Sequence, residues 1–348
     1  MSDRLTEYRR KRDPGRTPEP VPEQPPEAGH GDTYVIQQHH ARRLHWDLRL
    51  ERDGVLVSWA LPRGLPRDPA RNHLAVHTED HPMEYADFAG DIPAGEYGAG
   101  RMVIYDKGRY STEKWRSDEV IVVLHGDRSA GRYVLFQTRG DDWMIHRMDG
   151  PPPGWTPMPE VEPRQPTRAA KLPPDDGSWG YELDWPGTRA LAAVSGGRLE
   201  LTAAGTGITG YPELRAMAEA LAPTECLLDG VVVGFTPDGK VGPPREPLPD
   251  SAQARRLASQ HPVQYLASDL LWVDGLSTVD EPYARRRERL ADLGLAGPHW
   301  QVPPYFPGGG KFARDAAREQ GVPGVLGKRL DAPYRPGRRT RDWLRISA

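Results

Sequence analysis

The sequence predicts two folded domains of different class: an N-terminal all-β, barrel-like domain and a C-terminal α+β domain. Three observations predict this. Short apolar-alternating runs with Gly-containing turns fill residues 31–149, a proline-dense stretch covers 150–174, and strand and helical patterns mix over 175–348. A chain of 348 residues is long enough for each domain to bury its own core.

Residues 1–30 are polar, rich in Pro, Arg and Glu, and end in Pro18-Glu19-Pro20-Val21-Pro22-Glu23-Gln24-Pro25-Pro26. This composition reads as an extended N-terminal arm with little core of its own. The first thirteen residues contain no apolar h-region, so no secretory signal is expected, and no apolar run is long enough to cross a bilayer. The single cysteine, Cys226, excludes an intramolecular disulfide framework and a cysteine zinc site, and it fits a reducing, cytoplasmic setting. A formal net charge of −3 assigns any nucleic-acid binding to local basic patches.

The first domain's strand runs are 34–37, 44–50, 55–59, 74–77, 101–105, 120–124 and 133–137. Strands this short and closely spaced point to a sheet or barrel. The stretch 150–174 holds Pro151, Pro152, Pro153, Pro157, Pro159, Pro163, Pro166, Pro173 and Pro174, which favours polyproline II and reads as a semi-rigid linker. In the second domain, strands are expected at 181–183, 190–194, 227–234 and 263–272. Helices are expected at 213–222, 251–260, 283–293 and 312–319, which together make an α+β domain.

The densest chemistry lies in residues 37–51. Strand side chains alternate, so from position 45 one face is His45, Asp47, Arg49 and Glu51, and the other is Trp46, Leu48 and Leu50. The apolar face belongs to the core. With His39, the polar face offers two imidazoles and a carboxylate, a donor set suited to Mn²⁺, Fe²⁺, Co²⁺ or Zn²⁺. Arg49 is placed to fork onto a phosphate oxygen. Downstream, His81 is a candidate transition-state acid or phosphate clamp, and Tyr85 a candidate hydrogen-bond partner for a phosphoryl oxygen. A strand histidine is ordinarily just a satisfied polar residue, so spacing alone leaves both readings open. His40, His73 and His77 read as surface or structural histidines, and the Gly95–Gly100 turn as a tight hairpin without a P-loop lysine.

Residues 3–149 resemble the 3′-phosphoesterase domain of bacterial DNA ligase D. The matching stretches are Lys11-Arg12-Asp13 with Thr17-Pro18-Glu19-Pro20, the His-x5-His-x-Asp-x-Arg run, Ser58-Trp59-Ala60-Leu61-Pro62-Arg63-Gly64, Glu79-Asp80-His81-Pro82 with Tyr85-Ala86-Asp87-Phe88, and Ile92-Pro93 through Gly100. The resemblance implies a divalent metal on His39, His45 and Asp47, with Mn²⁺ first and Co²⁺ or Zn²⁺ as alternatives. It implies Arg49, His81, Tyr85 and Glu79 as catalytic residues, and Arg12, Asp13 and Glu19 of the arm as support for the site. The implied activity is removal of a 3′-terminal ribonucleoside and then of the 3′-phosphate, leaving a 3′-hydroxyl. Three positions depart from the family's usual residues: Pro14 (commonly Phe), His73 (commonly Arg) and Arg63 (commonly Lys). They bear on DNA affinity or on the efficiency of one step.

Residues 172–347 resemble the nucleotidyltransferase domain of ATP-dependent DNA ligases. The resemblance rests on Glu182-Leu183-Asp184-Trp185-Pro186-Gly187-Thr188-Arg189, Leu228-Asp229-Gly230-Val231, Ser268-Asp269-Leu270, and the C-terminal run from Gly324 to Ile346. Asp184 stands at the position of the lysine nucleophile, which must be an amine. Val231 and Pro323 stand where acidic residues are usual, and Ser347 where a second lysine is usual. No OB domain is expected after Ala348. The expectation is a degenerate ligase domain that uses no ATP. The remaining basic residues Arg335, Arg338, Arg339 and Arg341, with Arg42 and Arg43 in the first domain, are candidates for salt-sensitive DNA-backbone contacts. The expected partners are DNA or DNA–RNA primer–template 3′ ends, with Ku and a separate DNA ligase or polymerase. Two other readings stand beside this one: a non-catalytic end-binding scaffold that recruits a ligase or Ku, and a hydrolase of another phosphodiester such as RNA or a nucleotide.

Overall fold

The computed structural model describes residues 3–24, 29–236, 239–249 and 251–348. The Pro25-Pro26 pair that closes the expected arm lies outside them. The chain divides into two compact units, Met1–Pro153 and Gly154–Ala348.

In the first unit, the period-2 runs become β1 (Thr33–His40), β2 (Leu44–Arg52), β3 (Val55–Leu61), β4 (His73–His77), β5 (His81–Pro82), β6 (Gly90–Ile92), β7 (Gly100–Trp115), β8 (Glu119–His125), β9 (Gly131–Arg139) and β10 (Asp142–Arg147). The antiparallel order is β1-β2-β3-β4-β10-β9-β8-β7, and β7 pairs back onto β1, which closes an eight-stranded barrel. Closure leaves none of these eight strands with a free edge. The expected barrel is present, with two differences. The 101–105 run is the start of a 16-residue strand whose far half is charged on its solvent side. The 142–147 strand went unpredicted, although Trp143, Ile145 and Arg147 alternate inward.

The N-terminal arm is a correction. It folds as a short helix, α1 (Thr6–Arg10), followed by a return loop. Leu5 and Tyr8 are 1% and 0% exposed, and Thr17 and Glu19 are buried. The Tyr8 hydroxyl donates to Pro20 O at 2.7 Å and Arg9 Nε to Pro22 O at 2.7 Å. A polar composition concealed two apolar anchors. The arm and the Met83–Asp87 turn supply Glu19 and Tyr85 to the polar side of β2. As a result that side is as buried as the apolar one: Arg49 is 2% exposed and Leu48 0%.

The proline-dense stretch is the second correction. From Gly154 onward it belongs to the second unit. Thr156 N donates to Gly275 O, Trp155 packs edge-on against Trp272, and Gln165–Ala169 forms a parallel strand with Arg339–Ser347. Aromatic partners and a strand edge outweigh the polyproline bias.

The second unit combines two sheets with helices. One sheet is centred on Thr188–Ser195, Cys226–Phe235 and Gln264–Val273. The other contains Trp179–Leu183, Gly324–Arg329 and Arg339–Ser347. The expected helices appear at Ala216–Leu221, Ala252–Gln260, Tyr283–Asp292 and Gly310–Glu319. Ser251 caps Ala252–Gln260 by accepting from Ala254 N at 3.1 Å, a contact worth about 1 kcal/mol. Cys226 is buried, and burial pushes its thiol pKa up to about 12, so it is packing rather than chemistry. Among the described residues, no helix is long and apolar enough to cross a membrane.

Candidate metal centre

The His-x5-His spacing is a hairpin. β1 and β2 pair with His39 directly opposite His45 and Gln37 opposite Asp47, so all four side chains share one face. The β1–β7 register shifts between Ile36 and Gln37, a bulge immediately before the site. Each imidazole is oriented by a backbone carbonyl: His39 Nε2 lies 2.9 Å from Gly98 O, and His45 Nδ1 lies 3.0 Å from Arg43 O. Placing the N–H on those nitrogens, as the carbonyls require, turns His39 Nδ1 and His45 Nε2 toward each other as lone pairs 3.2 Å apart. Asp47 adds oxygens 3.8 Å from His39 Nδ1 and 3.6 Å from His45 Nε2. Two facing lone pairs and a carboxylate repel unless a cation sits among them. The spacings suit donors each about 2.1 Å from a common ion. The donor set therefore fits a divalent metal, and its carbonyl-oriented imidazoles follow the usual second-layer pattern. Burial lowers the His39 pKa, with Asp47 partly offsetting it, which favours the neutral ligand form. This is the one group of its kind among the described residues.

Beside these donors is a cleft of about 220 Å³. Arg49 is fixed by three bonds: Nε to Gln37 Oε1 at 2.7 Å, Nη1 to Ser58 Oγ at 2.9 Å, and Nη2 to Asp47 Oδ2 at 3.0 Å. A guanidinium has five N–H donors, so each terminal nitrogen keeps one to offer. His81 is buried. Its Nδ1 sits 2.8 Å from Glu79 O, and its Nε2 lies 3.4 Å from Arg12. Burial, then Arg49 and Arg12, hold its pKa well below the ordinary histidine value, so it is neutral. Tyr85 donates to Glu19 Oε1 at 3.0 Å, and its ring lies 4.7 Å from the Arg49 guanidinium. Arg12 joins Glu19 at 2.8 Å and Glu79 at 3.1 Å, and Lys11 also reaches Glu79 at 3.1 Å. Burial disfavours the Glu79 carboxylate, but its own backbone N–H, Arg12 and Lys11 outweigh that and lower its pKa.

The structure thus brings together His39, His45, Asp47, Arg49, Glu79, His81, Tyr85, Arg12 and Glu19. Asp13 is not among them: its carboxylate accepts from Gly15 N at 3.0 Å and its carbonyl from Arg16 N and Thr17 N, closing a turn. Glu51 shares the β2 polar face but accepts from Thr33 N at 3.0 Å, away from the cleft. Arg42 and Arg43 are exposed in the β1–β2 turn. His77 packs on Trp59 and Trp143, and His73 bonds Gly64 O, as structural residues.

In the second unit, Asp184 lines a cleft with Glu182, Arg189, Arg287, Trp343 and Arg345. Arg345 Nε meets Asp184 Oδ2 at 2.9 Å. Burial raises the Asp184 pKa and Arg345 opposes the rise. Lys328 Nζ lies 2.9 Å from Glu182 Oε2, Arg286 holds Asp269 in a bidentate pair at 2.7 and 3.0 Å, and Arg189 Nε holds Asp229 at 2.9 Å.

Residues 37–137 match the DNA Ligase D 3′-phosphoesterase domain, and residues 174–346 match the ATP dependent DNA ligase domain. The chain joins a DNA ligase D phosphoesterase domain to an ATP-dependent ligase domain. The multifunctional non-homologous end joining DNA repair protein LigD of Mycobacterium tuberculosis is 43% identical over 99% of this chain and 45% of its own length. The corresponding protein of Mycolicibacterium smegmatis is 42% identical (99% and 46%), and that of Pseudomonas aeruginosa 32% (98% and 47%). The chain spans about half the length of these curated relatives. The crystal structure of the ligase domain from M. tuberculosis LigD aligns with 54% of this chain and 59% of its own at 31% identity, with a TM-score of 0.45. Within the phosphoesterase domain, sequence reasoning missed Gln37 and Ser58, which clamp Arg49. Gln37 was findable, two residues before His39 on the same strand face. Ser58 was not, because it needs the β2–β3 register that sets it opposite Arg49.

Proposed function

We propose that this chain is a metal-dependent DNA 3′-end-processing phosphoesterase of end-joining repair, acting in the bacterial cytoplasm. It removes 3′-terminal ribonucleosides and then 3′-phosphates to leave a 3′-hydroxyl. The observation that carries this reading is the convergence of His39 Nδ1, His45 Nε2 and Asp47 beside a buried, three-point-anchored Arg49. A bound ion of the manganese class, held by those three residues, supplies Lewis-acid stabilisation.

The chain's own residues do the rest. Arg49 directs its two remaining N–H groups at the phosphate, and its anchors fix that direction before substrate arrives. Glu19 and Glu79 hold Arg12 against His81, so Arg12 and Arg49 flank the phosphate with positive charge. Neutral His81 presents Nε2 as an acceptor. An arriving phosphate offsets the two guanidiniums and lets that nitrogen take up a proton from solvent. As water attacks phosphorus and the P–O bond breaks, the proton passes to the leaving oxygen and the attacking water's proton is released to solvent. Tyr85, committed to Glu19, acts on the position of that carboxylate and through its ring on Arg49.

The ligase domain, in this reading, does not adenylate and uses no ATP. Asp184 replaces the amine and is neutralised by Arg345, and Val231 and Pro323 supply no carboxylate. Its exposed Arg335, Arg338, Arg339 and Arg341 favour a DNA-backbone role, which keeps open a second reading as a scaffold recruiting a ligase or Ku. The test is a gel assay with manganese and a primer–template bearing one 3′-terminal ribonucleotide, run beside His45→Ala. Conversion to a 3′-phosphate and then a 3′-hydroxyl by the wild type alone supports the enzyme. Binding of that DNA without cleavage under any divalent metal hands the first domain to the scaffold reading. Incubation with α-labelled ATP is expected to leave the protein unlabelled, and covalent label would overturn the ligase-domain assignment.

A further inference from the structure

At the rim of the metal cleft stands an aromatic side chain that neither the donor set nor the phosphate clamp uses. Tyr97 lines the cleft and is 48% exposed. Deeper in the cleft, the rings of Tyr85 and His81 are 1% and 4% exposed. Tyr97 thus offers ring surface to solvent at the mouth of the cleft.

Its position is also fixed. Lys11 Nζ donates to the Tyr97 hydroxyl at 3.2 Å and lies 4.6 Å from the ring centroid, and the Arg12 guanidinium lies 5.4 Å from it. The backbone turn is closed by Glu96 N to Pro93 O and Ala99 N to Glu96 O, both 3.1 Å, and Glu96 is tied to Arg16 at 2.7 Å. The next residue, Gly98, adopts φ +75° and gives the carbonyl that orients His39. The ring is therefore coupled through one peptide to a metal-ligating imidazole and through two cations to the arm.

We infer that Tyr97 is a stacking platform for the nucleobase at or next to the 3′ end whose phosphate enters the cleft. This rests on the 3′-phosphoesterase reading and deepens it by naming what distinguishes a nucleic-acid end from a simple phosphate ester. Every nucleobase presents a π face, so such a platform is tolerant of sequence, and cations on the tyrosine ring favour holding it in place. The contact adds affinity for base-bearing ends without touching the reacting phosphate.

The test is binding of 5′-fluorescein-labelled single-stranded oligodeoxynucleotides to the full chain with manganese, read by anisotropy. Each oligonucleotide ends in a non-hydrolysable 3′-methylenephosphonate. One set carries bases at the last two positions, and the other carries baseless tetrahydrofuran residues there. The wild type is expected to prefer the base-bearing end roughly tenfold. Tyr97→Leu, which keeps bulk and loses the π face, is expected to bring that preference close to one, and Tyr97→Phe to keep it. The inference is overturned if the wild type shows no preference, if Tyr97→Leu retains it, or if Tyr97→Phe loses it as Leu does, which would point to the hydroxyl and Lys11 instead. Binding is read independently of cleavage. A wild type that keeps the preference yet fails the gel assay contradicts the hydrolase reading and leaves the platform standing.

Discussion

The two clefts of this chain handle buried charge in opposite ways. In the phosphoesterase domain, His39 Nδ1 and His45 Nε2 face each other with Asp47 alongside, and the buried groups around them are spent on holding Arg49 and Arg12 in place. In the ligase domain, Asp184, Glu182, Asp229 and Asp269 each meet a lysine or arginine of the same unit. In the first, two imidazole nitrogens face each other with no protein group between them; in the second, each carboxylate has a cationic partner within the domain. Buried charge is thus satisfied by the protein itself in one cleft and only partly so in the other.

Arg49→Lys strikes the first cleft hardest. A lysine cannot satisfy Gln37, Ser58 and Asp47 while also presenting two parallel donors, so hydrolysis of a 3′-phosphate end is expected to fall by about a hundredfold or more with the fold intact. Near wild-type steady-state rates would show that the clamp is not what the cleft is built around. Arg12→Ala removes the ion partner of buried Glu19 and leaves Glu79 with Lys11 alone, and loss of a buried ion partner costs about 3 kcal/mol. Urea denaturation is expected to show that loss, and an unchanged midpoint would mean that water reaches the Glu19 carboxylate.

The same kind of change in the other cleft should do little. Arg345 is half exposed, so Arg345→Ala is expected to cost less than about 1 kcal/mol, and a loss matching that of Arg12→Ala would erase the contrast between the two sites. The smallest effect expected is on DNA binding. Reversing Arg338 and Arg339 to Glu should weaken affinity for all sequences alike and flatten the salt dependence, by about one unit of log–log slope for each phosphate no longer neutralised. An unchanged slope would remove the backbone role of the C-terminal arginines.

Much of this was legible in the sequence because strand periodicity and hairpin spacing are local. Alternation from position 45 puts His45, Asp47 and Arg49 on one face and the barrel follows from many short runs, whereas His39 joins that face through the β1–β2 register. The N-terminal arm was misread because its anchoring depends on just Leu5 and Tyr8 among many charges, and their burial is a tertiary fact. The 150–174 stretch was misread because a composition that favours extension does not reveal that Trp155 and Arg164 have partners more than a hundred residues away. The family resemblance implies a supporting role for Asp13 beside Arg12, but its carboxylate closes the following turn through Gly15 N instead. Ser58 and Tyr97 depend on register and on a turn closing over the cleft, and neither is encoded in any local pattern.

The most direct measurement is a calorimetric titration of manganese into the metal-stripped full chain and into His45→Ala. The account predicts one tight site in the wild type, lost in the variant, because the converging lone pairs of His39 and His45 are what the ion neutralises. Equal binding in both proteins, or none in the wild type, would contradict the metal centre on which the functional reading rests.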